Sequence, residues 1–202
     1  MRTKQLLVTF LIIMIAATAS LGREPKIGKS APQFSLTDAS GKVHNLKDYR
    51  GKYVVLEWIN YDCPFVKKHY NSGNMQSLQK KYTGQDVVWL SINSSAPGKQ
   101  GNFSSAEVKQ RSAAHNAAFT AYLQDSNGKV GKLYGAKTTP QMFVIDPKGK
   151  LVYMGAIDDT RSTDVNDIGR ATNYVAAALD AALAGKRVAV SSSKPYGCGV
   201  KY

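Results

Sequence analysis

The stretch YVVLEWINYDCP, residues 53–64, decides the fold. Tyr53 to Ile59 is an apolar, β-rich run too short for a helix and preceded by Gly51, so it predicts a buried central strand. Asn60-Tyr61-Asp62 breaks the pattern, and Pro64 suits the first position of a helix. Cys63 thus falls between a buried strand and a helix start, where unpaired backbone N–H groups and the helix dipole favour a thiolate. Lys67 and Lys68 lie four and five residues on, so Lys67 can return toward the same face and add positive potential. The residue is therefore expected to be a reactive thiol of low pKa rather than an inert space-filler.

Outward from this point the chain alternates strands and helices. Phe65, Val66, Tyr70, Leu78 and Tyr82 could line a helical segment that loosens around Gly73, and Val87 to Ile92 reads as the next buried strand. Two strands joined by a helix make a right-handed βαβ unit with a parallel core. Upstream, Phe34–Leu36 and Val43–Leu46 flank Gly41-Lys42 as a hairpin. Downstream, Ser104 to Glu107 has capping-box spacing, Phe119 to Leu123 predicts a strand, and Lys129 to Tyr134 a short helix stopped by Gly135. Gln141–Ile145 and Leu151–Met154 bracket the turn Asp146-Pro147-Lys148-Gly149. A last helix is expected from about Thr172 to Ala184, with Gly185 as its stop.

Composition limits the alternatives. The 202 residues, 43% apolar and 20% charged, suit one domain with a real core. Arg2 and Lys4, the apolar run Leu6–Ala17 and the small residues Ala17-Thr18-Ala19 have the pattern of a secretory signal peptide, a run short of the ~20 residues a membrane span needs. The expected division is a signal peptide at 1–19, a domain at 20–185 and a tail at 186–202 carrying Cys198. That address implies an exported, periplasmic or secreted protein without stable membrane insertion after cleavage, in a compartment where Cys63 and Cys198 can pair. The net charge of +13 comes from scattered Lys and Arg, which read as a solvated surface and not as a nucleic-acid stripe.

The order strand, Cys-Pro at a helix start, then Thr138-Thr139-Pro140 leading into a hairpin, resembles the thioredoxin superfamily from about residue 27 to about residue 157. More narrowly, DCPFVKKHY (62–70), WLSINSSAPGKQG (89–101), TTPQMFVIDPKGKLVYMGAIDD (138–159) and KPYGCGVKY (194–202) resemble the peroxiredoxin-like, redoxin-domain exported proteins of the alkyl hydroperoxide reductase and thiol-specific antioxidant type. The resemblance implies an α/β, thioredoxin-like fold: a central mixed sheet flanked by helices, with an N-terminal hairpin and a C-terminal helix plus tail. It also implies that Thr139-Pro140 is a cis-proline loop facing Cys63 and, with Pro64, shapes the place of a bound disulfide or peptide.

The departures narrow the chemistry. The fourth position of the thioredoxin motif is Val66, so the usual resolving thiol is absent. Peroxiredoxins carry Pro and Thr seven and three residues before their peroxidatic cysteine, where this chain has Leu56 and Asn60. Thioredoxin-like copper carriers need a second cysteine at the place of Lys67, and no metal or cofactor is expected. Cys198, between Gly197 and Gly199 in a mobile tail, could resolve a mixed disulfide on Cys63. A permanent bridge pinning the tail is the alternative, and its loop of over a hundred residues would add about 5 kcal/mol. An unpaired Cys198 is a third. Glu57 interrupts the apolar strand where thioredoxins hold a proton-relaying acid, the alternative being an edge-strand glutamate facing water. As an unpaired buried carboxyl it would burden the fold, so Glu57→Leu is expected to keep or raise stability. His69, six residues after Cys63, reads as solvated, and His44 and His115 as unremarkable.

The leading expectation is a thiol-disulfide oxidoreductase in which Cys63 attacks, Cys198 resolves, Glu57 relays protons and Thr139-Pro140 positions a protein thiol or disulfide, a small thiol or a peroxide. A thiol peroxidase and a redox-inert binding module with a structural disulfide are the other readings.

Overall fold

The computed structural model describes residues 24–202; the expected signal peptide lies outside the described residues. Seven strands form one mixed sheet in the order β2 (Val43–Asn45), β1 (Ser35–Asp38), β5 (Ala121–Gln124), β4 (Val88–Asn93), β3 (Val54–Trp58), β7 (Gln141–Ile145), β8 (Leu151–Gly155). The central strand β3 (Val54–Trp58) pairs in parallel with β4 (Val88–Asn93), which pairs in parallel with β5 (Ala121–Gln124). On its other side β3 runs antiparallel to β7 (Gln141–Ile145), the first arm of the hairpin completed by β8 (Leu151–Gly155). β1 (Ser35–Asp38) and β2 (Val43–Asn45) form the N-terminal hairpin, antiparallel to β5 through β1.

The alternation of side chains along β3 divides the core. Val54, Leu56 and Trp58 face one layer, shared with Val130 and Tyr134 of α4 (Lys129–Tyr134). Val55 and Ile59 face the other, where α1 (Pro64–Asn71), α2 (Asn74–Thr83) and α5 (Tyr174–Leu183) supply Val66, Tyr70, Met75, Leu78, Tyr82, Val175 and Leu179. α1 and α2 are the loosened segment foreseen at Gly73, whose φ of 75° is the left-handed conformation glycine tolerates. The capping box at Ser104 and Glu107 opens α3 (Ser105–Ala114) as predicted. Phe119 and Thr120 precede β5 rather than belonging to it.

The C-terminal segment is not a free arm. Along β8 the Met154 N–H donates to the Ser191 carbonyl and the Met154 carbonyl accepts from the Ser193 N–H, both at 3.1 Å, and the Ser193 hydroxyl accepts from the Ala156 N–H at 2.9 Å. Farther on, β9 (Cys198–Gly199) pairs antiparallel with β6 (Thr138–Thr139), and the Tyr202 hydroxyl donates to the Ala136 carbonyl at 2.7 Å. Among the described residues, no helix is long and apolar enough to cross a membrane.

Candidate active site

Cys63 is the N-cap of α1, in extended conformation, with Pro64 at the first helical position. Its carbonyl accepts the Lys67 N–H at 2.9 Å, so the helix begins at the sulfur-bearing residue. The side chain is fully buried, and its thiol donates to the Thr139 carbonyl at 3.1 Å. The Thr139–Pro140 peptide bond is cis, as the resemblance implied. Gln141 steadies this corner by accepting the Lys137 N–H at 2.8 Å.

The register of β6 and β9 places Cys198 opposite Thr139, so both cysteines meet at one residue. Both are free thiols, and Cys198 is only half-buried. Burial, a hydrogen bond with Cys63 and the charge Cys63 would carry push the Cys198 thiol up to about 11, while Lys201 and a backbone hydrogen bond from Phe65 act the other way. Gly197 permits this approach: at φ 139°, a Cβ there would lie 2.0 Å from the Thr139 carbonyl oxygen.

Glu57 is fully buried in the centre of β3, which removes the reading of an edge glutamate facing water. Four side chains donate to its carboxylate: Tyr70 at 2.9 Å, Gln79 at 3.2 Å, Trp89 at 2.8 Å and Ser91 at 2.8 Å. Burial raises its pKa above the ordinary carboxyl value, against those four hydrogen bonds. The premise that Glu57 is an unpaired burden is therefore wrong. Replacing it with Leu would strand buried donors, each worth about 1–3 kcal/mol when left unsatisfied.

Two expectations about the surface also fail. His69 is fully buried, and burial lowers its pKa to about 4, with Asp158 raising and Lys68 lowering it. Lys68, taken as solvated, is buried at 1% exposure, its ammonium donating to the Thr160 carbonyl at 3.1 Å and lying 3.7 Å from Asp158. His44 is buried too, 2.8 Å from the Asp38 carboxylate. His69 was legible: it stands with Val66 and Tyr70 at i, i+3 and i+4, the buried face of α1. Asp158 and Tyr196 carried no comparable local signal.

At the positions where peroxiredoxins carry Pro and Thr, Leu56 packs into the opposite layer of the sheet from Cys63. Asn60 is committed to the turn, its side chain accepting the Asp62 N–H at 2.9 Å.

A mixed sheet with a cysteine at a helix start facing a cis-proline defines a thioredoxin-like protein. Residues 27–154 match the AhpC/TSA family, and the chain belongs to that family. Among curated proteins it is similar to Thiol-disulfide oxidoreductase ResA of Bacillus cereus, 29% identical over 162 residues that cover 75% of this chain and 88% of the relative. Among solved structures it is similar to an uncharacterized conserved protein from Geobacillus kaustophilus, with a TM-score of 0.76 at 30% identity, covering 88% of this chain and 92% of the other. It is also similar to the exposed lipoprotein thioredoxin of Streptococcus pneumoniae, with a TM-score of 0.50 at 28% identity, covering 67% and 95% of the two chains.

Proposed function

We propose that this chain is a thiol-disulfide oxidoreductase with Cys63 as nucleophile and Cys198 as resolving cysteine, working in an exported compartment. One observation carries the pairing: the Cys63 thiol bonds the carbonyl of Thr139, the residue that Cys198 faces across the β6–β9 ladder. The AhpC/TSA membership and the similarity to ResA support the reaction class.

The Cys63 thiolate attacks one sulfur of a substrate disulfide, forming a mixed disulfide and expelling the other sulfur as a thiolate. The Cys198 thiolate then attacks the Cys63 sulfur, releasing the second substrate thiolate and leaving a Cys63–Cys198 bridge. A dithiol reductant returns two electrons and two protons to the pair. Thr139 and Pro140 shape the docking corner, and Pro64 fixes the helix start. Glu57, on the Cys63 side of the sheet, is the proton reservoir; its four side-chain partners include neither sulfur, so transfer requires a bridging water. The apolar run Leu6–Ala17 supports export.

The test is trapping. A Cys198→Ser variant, reduced and mixed with a disulfide-linked peptide, should accumulate a mixed disulfide on Cys63, mapped by mass spectrometry. No adduct on Cys63 while the peptide disulfide stays intact overturns the reading.

A further inference from the structure

Asp158 joins the two elements that carry the cysteines. It is buried at 2% exposure just beyond β8. One carboxylate oxygen accepts from the Tyr196 hydroxyl, two residues before Cys198, and from the Thr160 N–H at 3.0 Å. The other lies 3.7 Å from the Lys68 ammonium and 3.8 Å from His69 Nε2, both on the helix that Cys63 opens. The His69 nitrogen has no hydrogen-bond partner, and its ring is held by Asn74 at 2.9 Å through Nδ1. The Tyr196 ring also packs edge-on against Phe65 of α1, with centroids 5.7 Å apart. None of these groups has a role in the exchange steps above.

Their arrangement matters because Cys63 is fully buried while Cys198 is not. The β9 segment holds Cys198 at the very corner a substrate would use, occupying the Thr139 edge. A protein disulfide therefore reaches Cys63 only after this segment lifts, and Cys198 resolves only after it returns. A buried hydrogen bond to a carboxylate is among the stronger tethers available to such a segment.

We propose that Asp158 is a positioning residue for the thiol pair: by accepting from Tyr196 while facing Lys68 and His69, it latches the Cys198 segment to α1 and sets how often Cys63 is uncovered. This rests on the exchange reading for its purpose, but the latch itself is measurable without any substrate.

The test uses Tyr196→Phe, which keeps the ring against Phe65 and removes only the hydroxyl; Asp158→Asn would also leave the Lys68 ammonium buried without its countercharge. In a Cys198→Ser background, Tyr196→Phe should raise the rate of Cys63 alkylation by iodoacetamide about tenfold at fixed pH. Tyr202→Phe, which cuts another bond of the same tail away from Asp158, should raise it far less. An unchanged Cys63 rate, or an equal rise in Tyr202→Phe, overturns the latch. Failure to trap a mixed disulfide on Cys63, with the alkylation differences intact, would remove the exchange reading and leave the latch standing.

Discussion

The Cys63 thiol donates to the carbonyl of Thr139 at 3.1 Å, and Thr139 is the residue that faces Cys198 across a two-residue ladder. Cysteines separated by most of the chain thus share one backbone group. Mild oxidation of the reduced protein should therefore give an intramolecular Cys63–Cys198 bridge, recovered as one linked peptide pair on non-reducing digestion. Intermolecular dimers joined through Cys198 as the main product would contradict this.

Cys198 should be a poor nucleophile in the folded, reduced protein. With its thiol pushed up to about 11 from 9.0, its thiolate fraction at neutral pH falls about a hundredfold. Alkylation of Cys198 followed against pH should show a midpoint well above 9, and Cys63→Ser should lower it by removing the neighbouring thiol. Burial remains in that variant, so the midpoint should still lie above the ordinary value. A midpoint below 9 in the unsubstituted protein would contradict the geometry.

Glu57→Leu should destabilise the fold by about 3 kcal/mol or more, because the Trp89 and Gln79 N–H groups lose a buried acceptor. The pH dependence has a definite sign. A carboxyl whose pKa is raised in the folded state binds its proton more tightly there than in the unfolded chain, so its contribution to stability is full below the unfolded value. It is lost as pH rises from about 4.5 through the folded value. Denaturant midpoints of the protein and of Glu57→Gln, compared across pH, should converge or cross in that direction, the natural side chain losing ground as pH rises. A difference independent of pH would show that Glu57 keeps an ordinary pKa.

Gly197→Ala should prevent β9 from docking, since the added Cβ would meet the Thr139 carbonyl at 2.0 Å in a conformation that disfavours side chains. Bridge formation should slow at least tenfold while the urea midpoint of the domain falls only modestly. Unchanged oxidation kinetics would mean that the tail reaches Cys63 by another path.

Much of the fold was legible in sequence because the signals were local. The strand at Tyr53–Ile59, the glycine break at Gly73, the capping box at Ser104 and the hairpin turn at Asp146–Gly149 each announce themselves within a few residues. Cys63 was legible for the same reason, since a strand end and Pro64 flank it. What escaped was long-range and polar. The donors around Glu57 come from α1, α2 and β4, and no local pattern shows that Tyr70, Gln79, Trp89 and Ser91 converge on one carboxylate. Asp158 meets Tyr196 across 38 residues and Lys68 across 90, so the burial of these charges is a product of the tertiary fold alone. The tail's glycines read as freedom, and in the structure Gly197 serves close approach instead.

The most direct test of the account is a redox titration of the purified protein against defined ratios of reduced and oxidised dithiothreitol, with each cysteine's state read by differential alkylation and mass spectrometry. The account predicts that Cys63 and Cys198 change state together, in one reversible two-electron transition between the dithiol and an intramolecular bridge. Two cysteines that titrate independently, or a Cys198 that remains a free thiol while Cys63 is oxidised, would contradict it.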